Sequence, residues 1–120
     1  MVVVVAVDDD FRVRESIESL VESAGYAPQL FPTAEEFLTS GTLPVAACVI
    51  TDVRMPHLTG VELHDQLLAQ GHVLPTIFIT AFPTPDLQAK LNAPGVVAIL
   101  EKPIDPTVMV DYIEQVLGVA

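Results

Sequence analysis

The 120 residues are enough for one domain with a buried core, since 51% of them are hydrophobic. Sixteen acidic residues against five basic ones give a formal net charge of -11, which excludes a protein that grips nucleic acid through its phosphates. The apolar opening stops at Asp8, too early for a signal peptide or membrane span, and one cysteine cannot build a disulfide framework; a cytoplasmic protein is expected, with neither membrane nor nucleic acid among its partners.

Residues 2–7 are an apolar run that reads as a buried strand. Val13, Ile17, Leu20, Val21 and Ala24 then recur on one face of a helix, which Gly25 is placed to stop. A weaker second strand is read at 28–31, followed by Thr33 and Glu36 at capping-box spacing before a second helix. The third strand spans 45–51 and carries Cys48, a small buried thiol. Thr59 and Glu62 repeat the capping spacing before a third helix, and a fourth strand occupies 76–80. Between Thr84 and Asn92 the flanking Pro83, Pro85 and Pro94 leave room for only about two helical turns. A fifth strand at 96–100 precedes Asp105-Pro106, an N-cap followed by a proline at the first helical position. Met109, Ile113, Val116 and Leu117 form the buried face of that last helix, and Tyr26 and Tyr112 read as packing residues.

Five strands alternating with helices predict a doubly wound α/β domain, a parallel sheet covered by helices on both faces. One domain over 1–120 is expected, with no repeat, linker or output domain visible.

In such sheets chemistry collects outside the carboxyl ends of the strands. The first strand ends in Asp8-Asp9-Asp10, the third in Thr51-Asp52, the fourth in Thr80-Ala81 and the fifth in Glu101-Lys102-Pro103. Carboxylates gathered in one pocket repel unless a hard cation neutralises them, and all-oxygen ligands suit Mg2+. A lysine ammonium and a threonine hydroxyl beside them would bind a tetrahedral dianion, and with a carboxylate nucleophile they form a sufficient set for phosphoryl transfer. Plainer alternatives stand at this level: Asp10 as a helix N-cap, Asp8 and Asp9 as solvated loop charges, Thr80 as a strand terminus, Lys102 as a surface lysine. His57, His64 and His72 lack metal-ligand spacing and are expected in loops or on exposed helix positions.

Val7-Asp8-Asp9-Asp10, Thr51-Asp52-Val53-Arg54-Met55-Pro56, Ile79-Thr80-Ala81 and Glu101-Lys102-Pro103 resemble, in order and spacing, the four signatures of response-regulator receiver domains. The resemblance covers essentially the whole chain. Ser23-Ala24-Gly25-Tyr26 and the text from Thr33 to Leu38 are most similar to receivers of the nitrogen-fixation regulator type. It implies a flavodoxin-like sheet of strand order 2-1-3-4-5. It further implies Asp52 as phosphoacceptor; Mg2+, or Mn2+ in its place, on Asp8, Asp9, Asp52 and the backbone carbonyl of Arg54; and Thr80 and Lys102 on the phosphoryl oxygens. The Lys102-Pro103 bond is expected to be cis, as is usual in the family. The donor implied is a phosphohistidine on a sensor histidine kinase or histidine phosphotransfer protein, with a downstream protein partner. The chain would act as a signalling phosphoacceptor that assists its own phosphotransfer and dephosphorylation, as a monomer or weak dimer, and not as a turnover enzyme.

Two departures touch the readout. Ile99 stands three before Lys102, where most receivers carry an aromatic residue that turns inward with the threonine; a stiff aliphatic side chain has no ring to swing. Phe82, two after Thr80, and Arg54, two after Asp52, flank the path of an attacking water. The rival readings are a receiver-like scaffold that binds proteins without phosphorylation and a haloacid-dehalogenase-type phosphatase. The latter needs a second Asp two residues after its nucleophile, where this chain has Arg54.

Overall fold

Successive side chains of a strand face opposite ways, and on β1 (Val3–Val7) both sets are buried: Val4 and Ala6 on one side, Val5 and Val7 on the other. The apolar runs therefore lack polar alternation. In the computed structural model, which describes residues 2–118, β1 is joined by β2 (Ala27–Phe31), β3 (Ala46–Asp52), β4 (Thr76–Thr80) and β5 (Val96–Glu101). The sheet is wholly parallel, in the order β2-β1-β3-β4-β5.

One face is closed by α1 (Phe11–Ser23) and α5 (Pro106–Leu117), whose Ile17, Val21, Met109 and Ile113 pack on Val4, Ala6, Cys48, Ile50, Ile77 and Ile79. The other is closed by α2 (Ala34–Thr39) and α3 (Gly60–Ala69), where Phe37, Leu63 and Leu67 meet Val5, Val7 and Val49. Tyr26 and Tyr112 lie partly buried against the first core.

The helix starts follow the capping chemistry. Thr59 and Glu62 form the reciprocal box, and Asp105 accepts from the amides of Thr107 and Val108. Thr33 makes only its half, accepting from the Glu36 amide at 3.1 Å. Gly25, at φ +93°, turns the chain out of α1. The proline-bracketed segment makes a single turn, α4 (Pro85–Gln88), and a 3-10 turn over Ala89–Asn92.

One expectation is corrected. His64 is buried, not exposed: its Nε2 lies 2.8 Å from the carbonyl oxygen of Pro94, and its ring meets Phe78 edge-on. The apolar spacing of Leu63 and Leu67 aims α3 at the sheet, and His64 on its flank meets the Pro94 carbonyl and the Phe78 ring, neither of which the local spacing records. His57 and His72 are exposed. Among the described residues no helix is long and apolar enough to cross a membrane.

Candidate functional site

β1 and β3 lie side by side although another strand intervenes in the sequence, and Val7 is in register with Thr51. The next residue of each strand is an aspartate, so parallel pairing alone brings Asp8 and Asp52 together at the point where strand order reverses. Asp8 is fully buried, Asp52 is 6% exposed, and Asp9 is exposed. One carboxylate oxygen from each of the three lies within 4.8 Å of the other two. Asp10 stands outside this cluster and caps α1 through the Arg12 amide at 2.8 Å, as its plainer reading held.

Every polar atom of Asp8 but one is committed. Its amide donates to the Phe31 carbonyl at 3.1 Å, its carbonyl accepts from Arg14 Nη1 at 2.7 Å, and its Oδ1 accepts from the Asp10 amide at 2.8 Å. Oδ2 is buried without a hydrogen bond and meets Lys102 Nζ as an ion pair at 3.0 Å. A buried carboxylate oxygen that makes no hydrogen bond and faces only an ammonium, beside two further carboxylates, fits a hard divalent cation.

Register also delivers the lysine. Thr80 ends β4 opposite Glu101 of β5, and the Lys102 amide donates to the Thr80 carbonyl at 2.8 Å. From there Lys102 Nζ reaches Asp52 Oδ2 at 3.2 Å as well as Asp8. Burial raises the Asp8 carboxyl above its ordinary value against the opposing pull of the Asp10 amide and Lys102, and the Asp52 charge raises it further. Burial alone would lower the Lys102 ammonium; the carboxylates of Asp8 and Asp52 beside it outweigh that and raise the group.

Thr80 is buried, and its Oγ1 accepts from the Phe82 amide at 3.1 Å, which leaves the hydroxyl proton to donate elsewhere. The Arg54 amide donates to Asp52 Oδ1 at 3.2 Å. Its guanidinium lies over the Phe82 ring at 5.7 Å from the centroid, so the 66% exposed phenyl pairs with Arg54 at the rim of the site. Ile99 is half-buried and in register with Phe78. Lys102-Pro103 is cis.

Two contributors escaped the reading of the sequence. Gly60 opens α3 so close to the Asp52 carbonyl oxygen that a Cβ there would collide with it; its only signal was a glycine directly after the Thr59 cap. Arg14 had none, because an arginine in the first turns of a helix reads as a surface charge. Cys48 is buried, and burial pushes its thiol up to about 12.

The family model for the response regulator receiver domain matches residues 4–114, and the chain belongs to that family. It is a signalling domain of the two-component type. It is 36% identical over 112 residues to the transcriptional regulatory protein FixJ of Azorhizobium caulinodans, covering 93% of this chain and 53% of that protein. To the response regulator protein TodT of Pseudomonas putida it is 32% identical over 118 residues, covering 98% and 52%. The chain thus spans about half the length of these curated relatives. Among solved structures it is similar to the chemotaxis protein CheY4 of Vibrio cholerae, at 27% identity, TM-score 0.86 and coverage of 98% and 99% of the two chains. A response regulator receiver protein from Burkholderia phymatum shares 35% identity at TM-score 0.83 over 100% and 98%.

Proposed function

We propose that Asp52 accepts a phosphoryl group from a phosphohistidine and that the resulting aspartyl phosphate is the signalling state of this domain. The observation that carries this is Lys102 Nζ held between two buried carboxylates, 3.0 Å from Asp8 and 3.2 Å from Asp52. An Asp52 oxygen attacks phosphorus, the phosphorus–nitrogen bond to the donor imidazole breaks, and its electron pair stays on that nitrogen, which takes up a proton. Lys102 then exchanges Asp52 for a phosphoryl oxygen while keeping Asp8, and the Thr80 hydroxyl donates to another. Asp8, Asp9, Asp52 and the Arg54 main-chain carbonyl would hold Mg2+, or Mn2+ in its place, which supplies positive charge for the phosphoryl oxygens when bound.

The donor in this reading is a sensor histidine kinase or histidine phosphotransfer protein, and the phosphorylated domain acts on a downstream protein from the cytoplasm. The domain assists its own dephosphorylation, since the same groups stabilise attack by water. Acetyl phosphate with Mg2+, followed by intact-mass measurement, tests the proposal: wild type gains one phosphoryl group and Asp52→Ala gains none. Ile99, in place of an aromatic residue beside Phe78, favours as second reading a scaffold that binds partners unphosphorylated. No Asp52-dependent gain under conditions that label another receiver would support it.

A further inference from the structure

The turn from β1 into α1 is held by a short chain of hydrogen bonds. The Asp10 amide donates to Asp8 Oδ1 at 2.8 Å, the Arg12 amide to Asp10 Oδ1 at 2.8 Å, and the Arg14 amide to the Asp10 carbonyl at 3.1 Å. All three bonds lie within neighbouring residues. The one side chain that reaches back over the turn is Arg14, whose Nη1 donates to the Asp8 carbonyl at 2.7 Å while its guanidinium lies 5.8 Å from the Phe11 ring centroid.

Charge does not explain this placement. Among the described residues Arg14 forms no ion pair, although the chain carries sixteen carboxylates; it is spent on a neutral carbonyl. A cation near the start of a helix opposes the helix dipole, and a cation beside a divalent-ion site repels the ion. Geometry does explain it. With the Asp8 amide held by Phe31 and its Oδ1 by Asp10, the bond from Arg14 ties down the Asp8 carbonyl, so that both peptides flanking Asp8 are anchored. Oδ2, which makes no hydrogen bond and faces Lys102 Nζ at 3.0 Å, keeps its place beside Asp52 before any ion arrives.

We propose that Arg14 is a positioning residue for the divalent-cation site, fixing Asp8 through its main-chain carbonyl. This rests on the reading of Asp8, Asp9 and Asp52 as Mg2+ ligands. Position and charge predict opposite signs. If Arg14 positions Asp8, removing it weakens Mg2+ binding; if only its charge mattered, removing it would tighten binding.

Calorimetric titration of the protein with MgCl2, without phosphodonor, separates the two. Arg14→Met is expected to raise the Mg2+ Kd on the order of 10-fold, the scale of lost support behind a metal ligand. Arg14→Lys, which keeps the charge and loses the planar donor fork, is expected to shift Kd the same way by less. An unchanged or tighter Kd in both variants overturns the proposal, and so does a lower melting temperature in EDTA with an unchanged Kd, which marks a purely structural arginine. Should Arg14→Met fail to fold, Arg14→Lys decides alone. Asp8→Asn is the control: if wild type shows no Mg2+ binding that Asp8→Asn abolishes, the metal reading fails first and Arg14 falls with it.

Discussion

Asp8 Oδ2 and Lys102 Nζ lie 3.0 Å apart, and that oxygen is the only buried carboxylate atom among the described residues without a hydrogen bond. The pair is a compromise in which an ammonium stands where carboxylates converge. The Asp8 carboxyl is raised above its ordinary 3.8, so its ionisation opposes folding. A group raised in the folded state stabilises fully below its unfolded value and loses that contribution as pH rises through the folded one. In EDTA, wild type is expected to lose stability relative to Asp8→Asn as pH climbs above 3.8, and saturating Mg2+ to restore wild type alone. Urea unfolding across pH, with and without Mg2+, measures this; parallel curves would refute it.

Gly60 leaves no room for a side chain against the Asp52 carbonyl. Gly60→Ala is expected to cost ~1–3 kcal/mol, the range for overpacking, and to slow phosphorylation by shifting the peptide that carries Asp52, the proposed nucleophile. Denaturant unfolding gives the first and acetyl-phosphate labelling the second; a variant as stable and as readily labelled as wild type would contradict the contact.

Phe82 and Arg54 form a pair at the rim, each tied by its amide to a site side chain: Phe82 to Thr80 Oγ1 and Arg54 to Asp52 Oδ1. On the proposed phosphorylation of Asp52, a ring at this rim would hinder water from reaching the phosphoryl group. Phe82→His is expected to shorten the phosphoryl lifetime several-fold, followed by the decay of the phosphorylated mass after donor removal. An unchanged lifetime would show that the ring has no part in hydrolysis.

Cys48 is expected to resist thiol reagents at pH 8 until the protein unfolds, because burial lifts its thiol from 9.0 to about 12. The folded chain keeps the proton between those values while the unfolded chain loses it, so this contribution to stability declines as pH rises from 9.0 towards 12. Cys48→Ala lacks that decline. Rapid modification of the folded protein at pH 8 would show that the thiol is accessible.

The chain's local patterns determined the strand and helix alternation, the caps at Thr59 and Asp105, and the shortness of the proline-bracketed segment. Periodicity, capping and proline chemistry act within a few residues, so they are readable without partners. The four motifs named the residues of the candidate site, of which Asp8, Asp9, Asp52 and Lys102 come together in the fold. Tertiary structure alone decided which strand ends meet: β1 beside β3 unites Asp8 with Asp52, and β5 beside β4 swings Lys102 between them. It also buried His64 against Pro94 and Phe78, set Gly60 against the Asp52 carbonyl, and turned Arg14 back onto Asp8. Each of these depends on contact between segments far apart in the chain or on the direction of one side chain. Hydrophobic spacing records which face is buried; it does not record what lies across from it.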